Sequence, residues 1–251
     1  MTIAPIKRLF RILSFEFLNF GMLSTSLNVG LYYLYAQIFL KRKNRFKYEN
    51  KVNKFIKTYG DLNFNHGDFF SNNISSWLHI FEKYYLFNKK LAVLEVGSYE
   101  GRSSYFLLKS LKKIQLTCVD TFKPFHELQD NNHKKFNQIF DNFKRNTSKY
   151  LKQLKIFRGT SHDFFKKNKY KKFDLIYIDG SHEYNYVAHD ANKAFLVLKK
   201  NGILIFDDFM WENYAQKKLP FHAIMKFLKK NNHKLNILYV DYQLIIKKIK
   251  N

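Results

Sequence analysis

The chain has 251 residues, 46% of them hydrophobic, 18% aromatic and 25% charged, which excludes a disordered tail or a disulfide-stapled miniature and allows one domain of ordinary size plus an appendage. Its 44 Lys and Arg against 20 Asp and Glu give a formal charge of +24, which points to nucleic acid or an anionic membrane as partner. The same composition is rich in Asn, Ile, Phe and Tyr, residues written by A- and T-rich codons, so the charge also has a purely compositional explanation. A single cysteine, Cys118, excludes an intrachain disulfide and a cysteine-built zinc site and fits a reducing, cytoplasmic-side compartment.

In chain order, Phe17 to Leu40 carries no charged side chain, with Lys7, Arg8 and Arg11 before it and Lys41, Arg42, Lys43 and Arg45 after it. That length suits a bilayer span. Asn19, Ser24, Thr25, Ser26, Asn28 and Gln37 lower its hydropathy, however, and no small-residue cleavage site follows a compact apolar core, so neither a spanning helix nor a cleaved signal is the expectation. The expectation is a helical cap on the main domain, or a helix resting at the inner face of an anionic membrane through residues 1–45. Lys41 to Lys57 reads as a basic linker or helix. Residues 1–66 are taken as a helical extension and 67–251 as one domain.

Short apolar runs then alternate with helical periodicity. Leu91 to Val96, Ile114 to Val119, Leu154 to Phe157, Phe173 to Ile178 and Gly202 to Phe206 read as strands, and Cys118 inside the second run reads as a buried structural thiol. Ser103 to Leu111, His133 to Tyr150, Ser161 to Asn168 and Tyr184 to Leu198 read as helices, with Phe136, Ile139, Phe140 and Phe143 on one face of the second. This alternation predicts an α/β fold, a parallel sheet with helices on both faces. After a helix from Phe221 to Lys230, the runs Leu235 to Val240 and Tyr242 to Ile249 are joined so tightly that they must be antiparallel.

Ligands of such sheets bind beyond the carboxyl ends of the strands. The first run leads into Glu95-Val96-Gly97-Ser98-Tyr99-Glu100-Gly101-Arg102-Ser103-Ser104, where two glycines permit a tight turn and Ser103 or Ser104 suits a helix cap. Asp120 closes the second run, where a carboxylate can accept from both hydroxyls of a ribose, so a nucleoside site is expected. Asp179, in Ile178-Asp179-Gly180-Ser181-His182, and the pair Asp207 and Asp208 end the fourth and fifth runs. Three carboxylates at one sheet edge need a cation or protons, and an all-oxygen set favours Mg²⁺ over zinc. The alternative is that each acid caps the helix that follows it.

Taken in order, Asp68-Phe69-Phe70-Ser71-Asn72-Asn73-Ile74, Glu95-Val96-Gly97-Ser98, Thr117-Cys118-Val119-Asp120-Thr121-Phe122, Ile178-Asp179-Gly180-Ser181-His182 and Ile205-Phe206-Asp207-Asp208-Phe209 resemble the class I S-adenosylmethionine-dependent methyltransferases, in the branch with D-G-S-H after the fourth strand. The resemblance implies a Rossmann-like, mostly parallel seven-stranded sheet with the last strand antiparallel. It implies S-adenosylmethionine held by Glu95, Gly97, Ser98, Gly101, Ser103, Asp120 and Asp179, with Gly159, Thr160 and Ser161 near the adenine. Similarity to the macrolide sugar O-methyltransferases implies Mg²⁺ on Asp179, Asp207 and Asp208, His182 as general base with Asp179 beside it, and a small-molecule or sugar hydroxyl as acceptor. Tyr99 stands where the broader pattern has its middle glycine, which alters the local shape. Trp211 and Tyr214 are candidates to line the acceptor pocket.

Two other readings compete. The N/D/S-P-P-aromatic tetrapeptide of base amino-methylation and the Pro-Cys nucleophile of cytosine-ring methylation are both absent, which argues against nucleic acid and leaves RNA ribose methylation as the nucleic-acid alternative. A non-catalytic nucleotide-binding or membrane-tethered scaffold is the other. The oligomeric state is not legible.

Overall fold

The structure, a computed structural model, describes residues 3–15, 21–123, 138–212 and 219–251. The apolar runs become strands β1 (Leu91–Val96), β2 (Ile114–Asp120), β3 (Leu154–Arg158), β4 (Phe173–Ile178), β5 (Leu198–Phe206), β6 (Leu235–Val240) and β7 (Leu244–Lys248). They make a seven-stranded mixed sheet, six strands parallel and the last antiparallel, the Rossmann-like arrangement of class I methyltransferases. The helices are α1 (Ile3–Ser14), α2 (Leu23–Tyr35), which runs through the π turn Ala36–Leu40 into α3 (Lys41–Ile56), then α4 (Ile74–Lys83), α5 (Arg102–Ser110), α6 (Ile139–Thr147), α7 (Ser161–Lys167), α8 (Tyr184–Val197) and α9 (Pro220–Asn231).

The chain divides into two compact units, Lys47–Phe173 and Met1–Phe46 with Asp174–Asn251. The extension expected over 1–66 is thus parted at Phe46, and its first helices belong with the C-terminal half.

In the unit Lys47–Phe173 the strands run β3-β2-β1, parallel, with Leu91 opposite Ile114 and Leu116 opposite Leu154. Phe55, Phe70, Trp77, Phe81 and Phe106 form its aromatic core, with ring centroids such as Phe55–Phe106 and Phe70–Trp77 both 5.1 Å apart. Offset and edge-on packing at such distances adds to the area that these rings remove from water. Of the expected helical face at 136–143, Phe136 lies outside the described residues; Ile139 and Phe143 are buried and Phe140 is half-buried, 4.7 Å from the Phe122 ring.

In the other unit the order is β4-β5-β7-β6. Strand β7 lies antiparallel to both neighbours, with Phe206 opposite Leu244 and Leu235 opposite Lys248. The connection between β6 and β7 is three residues, Asp241 to Gln243, instead of Asp241 alone. Strand β5 begins four residues earlier than its apolar run, directly after α8, and bends at Asn201 (φ +66°). Gly202 follows because a Cβ there would meet the carbonyl oxygens of Lys199 and Asp174 at 2.9 and 3.0 Å. Asp241 anchors the N-terminal helices, accepting from Gln37 Nε2 at 2.9 Å and pairing with Lys41 Nζ at 2.8 Å.

Candidate functional site

In the unit Lys47–Phe173, β1 runs into the glycine loop. Gly97 and Gly101 have φ of +86° and +84°, conformations glycine enters without a Cβ penalty. A Cβ on Gly101 would also meet the Phe143 ring at 2.9 Å. Tyr99 takes φ +48°, so a left-handed turn is kept there by a residue for which it costs roughly 1–2 kcal/mol.

Glu95 is fully buried on β1. Its Oε2 accepts from Ser98 Oγ at 2.8 Å, from Ser104 Oγ and from Cys118 Sγ at 3.3 Å, whereas Oε1 has no hydrogen-bond partner. Burial pushes this carboxyl above its usual range, and Ser103, Ser104 and Ser98 partly offset the shift. The expected capping of α5 by Ser103 or Ser104 is not what these serines do. The cap position is Gly101, without a side-chain hydrogen bond, and Ser104 turns inward to Glu95. Cys118 is buried, and desolvation raises its thiol pKa well above normal, as suits a structural thiol.

Asp120 is already engaged. Its Oδ2 accepts the amides of Ser98 at 2.7 Å and Tyr99 at 2.8 Å, and its Oδ1 accepts that of Phe122 at 2.6 Å. The carboxylate therefore staples the glycine loop to the end of β2, and these amides counter the burial that raises its pKa. Of its roughly four lone-pair sites a ribose would share what remains. Thr160 caps α7: its Oγ1 accepts the amide of Asp163 at 3.1 Å and donates to that carboxylate at 2.7 Å, with Ser161 opening the helix and the Gly159 amide donating to the Asp120 carbonyl at 2.9 Å.

Glu100 had no role in the sequence reading. It is buried and accepts the amides of Asn65 at 3.1 Å and His66 at 3.2 Å and the Asn142 side-chain amide at 2.8 Å. An acid in mid-loop was the only signal, since these partners lie 34 to 42 positions away.

The second cluster belongs to the unit Met1–Phe46 with Asp174–Asn251. Tyr177, buried on β4, sets its hydroxyl against Asp179 Oδ2 at 2.8 Å and against Asp207 Oδ2. A phenol has one proton to give, so the second of these bonds requires a protonated carboxyl. Burial and the adjacent Asp208 push the pKa of the Asp207 carboxyl up to about 7. Asp207 further accepts from Gln243 Nε2 at 3.0 Å and from the Asp208 amide at 2.9 Å.

Asp208 sits at a left-handed φ of +54°. Its Oδ1 accepts the Tyr242 hydroxyl at 2.8 Å and its Oδ2 faces His182 Nε2 at 2.9 Å. The His182 ring lies against Trp211, centroids 4.6 Å apart, and Arg11 of α1 donates to the Trp211 carbonyl at 3.2 and 3.3 Å. Helix α8 starts at Tyr184, where the apolar spacing predicts it, and the Ser181 hydroxyl accepts the Glu183 amide at 3.1 Å. Tyr214 lies outside the described residues.

The three aspartates expected to share a cation are each bound to a protein donor, and among the described residues no group of three or more His, Cys, Asp or Glu is arranged to hold a metal.

Residues 94–209 match a family described as a methyltransferase domain. The chain is 23% identical over 142 residues, 52% of its length, to the uncharacterized protein R132 of Acanthamoeba polyphaga mimivirus, and spans 57% of that relative. Its fold is similar to the O-methyltransferase from Bacillus cereus solved with S-adenosylhomocysteine (TM-score 0.51, 11% identity, 90% of this chain and 100% of that one). It is also similar to TomG from Streptomyces achromogenes, solved with S-adenosylmethionine (0.52, 10%, 80% and 89%). A third similar structure is MycE of the mycinamycin pathway, solved with Mg and S-adenosylhomocysteine (0.54, 14%, 79% and 55%). At these identities the structural likeness establishes the fold, and residues 94–209 are similar to a methyltransferase domain.

Proposed function

We propose that the chain transfers a methyl group from S-adenosylmethionine to a hydroxyl of a small molecule or sugar. The observation that carries this reading is the His182–Asp208 pair at 2.9 Å, placed just after β4 and β5 of a methyltransferase fold.

The residues of the glycine loop fit the donor. Gly97 turns the backbone without a side chain, the uncommitted Glu95 Oε1 is an acceptor suited to an ammonium, and Asp120 retains capacity for a ribose hydroxyl. Ser98, Gly101 and Ser103 complete that cradle, and Gly159, Thr160 and Ser161 are assigned to the adenine end. When bound, S-adenosylmethionine supplies a methyl group on a sulfonium, ready for in-line displacement. His182 takes the acceptor's hydroxyl proton as its oxygen attacks, and Asp208 orients the ring and stabilises the imidazolium. Asp179, held by Tyr177, orients the acceptor. No step is routed through Mg²⁺, for which no group of three or more His, Cys, Asp or Glu is arranged among the described residues.

Methyl-labelled S-adenosylmethionine should be offered with a panel of sugars and phenols and, in parallel, with RNA. Label in a hydroxyl compound, lost in His182→Ala, supports the reading. Label in RNA alone, or a chain that by calorimetry does not bind S-adenosylmethionine, overturns it.

A further inference from the structure

Helix α2 is built inside out for a helix in water. The side it turns to the protein carries Thr25, Ser26, Val29, Gly30 and Tyr33, mostly small or polar residues. Leu23, Leu27, Leu31 and Leu34 follow one another at spacings of four, four and three on the opposite face, with Leu31 66% exposed, and Ile38 continues the stripe at 64%. Helix α1 adds Ile6 and Phe10, the latter 72% exposed. The two helices are packed close, since a Cβ on Gly30 would meet Leu13 Cδ2 at 3.1 Å. A helix serving only as a cap would turn its leucines inward. Single exposed leucines need no explanation, but a stripe over three turns marks a surface that is covered when the protein works.

The charges say by what. Every charged side chain described from Ile3 to Lys47 is basic. Arg8 and Lys41 are paired with Asp241, and Arg11 with Glu212. Lys7, Arg42, Lys43 and Arg45 are exposed at either end of the apolar segment. A second copy seated on this face would bring those cations, in a chain of net charge +24, against their own kind. Anionic headgroups would meet them with opposite charge while the acyl boundary receives the leucines. No described helix is long and apolar enough to cross a membrane. We infer that the outward face of α1 and α2, with the basic start of α3, docks the protein on an anionic lipid surface.

The test is co-sedimentation of the full chain with phosphatidylcholine vesicles with and without phosphatidylserine, read alongside thermal melting. The expected result is binding that requires phosphatidylserine and weakens in salt. Arg42→Gln with Lys43→Gln should lower partitioning about thirtyfold, at roughly fivefold per cation, and Leu27→Gln with Leu31→Gln should lower it by at least about tenfold. All four side chains are exposed, so the variants should melt like the parent. Equal binding without phosphatidylserine, no binding to either vesicle, or a dimer in solution that the leucine changes dissociate would each overturn the inference. None of these readouts involves methyl transfer.

Discussion

Asp120 ends β2 and Asp208 stands just after β5, and they are satisfied by opposite means. Asp120 collects three backbone amides, from Ser98, Tyr99 and Phe122. Asp208 meets two side chains, the Tyr242 hydroxyl and the His182 imidazole. Amides neither titrate nor change rotamer, so a carboxylate bound to them is framework, and its loss is felt in loop geometry and ligand affinity. A carboxylate bound to an imidazole responds when that ring gains a proton, and its loss is felt in rate. The two halves of the proposed reaction, holding a donor and moving a proton, thus rest on different kinds of hydrogen bond.

The sharpest way to break this contrast is His182→Ala. If the second cluster serves proton transfer, kcat falls about 10²–10⁴-fold, the usual contribution of a general base, while calorimetry finds S-adenosylmethionine affinity unchanged. An equal loss of affinity would erase the distinction. Next in size is Asp120→Ala, which leaves three amides without their acceptor. Stability and S-adenosylmethionine affinity should each fall by roughly 1–3 kcal/mol, seen as a lower denaturation midpoint and a weaker calorimetric Kd. A variant that melts like the parent would show that the loop holds its shape without the staple.

Glu95 sharpens the framework side through pH. Its folded pKa is raised, chiefly by burial, so between the ordinary carboxylate range and that raised value the native state holds a proton that the unfolded chain has released. Stability must therefore fall as pH rises through that window, by at most about 1.4 kcal/mol per pH unit for one proton. Glu95→Gln keeps an acceptor oxygen for Ser98, Ser104 and Cys118 and removes the titration. Denaturation midpoints across the window should accordingly slope less in the variant than in the parent. Equal slopes would mean that Glu95 is not the group responsible.

Much of this was legible because it is local. The strands β1, β4 and β6 have the bounds of their apolar runs, and Gly97 and Gly101 announced a turn by type and spacing alone. What escaped depends on partners distant in sequence. Nothing near Asp208 points to Tyr242, 34 positions on, and nothing near Asp207 points to Tyr177 or Gln243. The acids therefore read as a bare cluster in want of a cation, whereas phenols, an amide and an imidazole satisfy them. Ser104 read as a cap because serine favours that position, but a buried carboxylate nearby was the stronger claim on its hydroxyl. In α2 both faces hold apolar residues, so periodicity could not say which would be turned outward.

The smallest effect is expected from Tyr242→Phe, and it asks how far the side-chain-built cluster reaches. Burial first, and then Asp208, raises the Tyr242 phenol far above its usual range, so near neutrality it stays protonated and acts only as a donor to Asp208 Oδ1. Phenylalanine keeps the ring and its packing and deletes that one bond, worth about 0.5–1.5 kcal/mol. Asp208 would still face His182 through Oδ2, so the base survives with a looser support. A fall in kcat of roughly two- to tenfold follows, with S-adenosylmethionine affinity and melting close to the parent's. No change in kcat would mean that His182 alone suffices to hold Asp208. A loss as large as that of His182→Ala would move Tyr242 into the reacting set, because removing a remote donor cannot cost more than the support it gives.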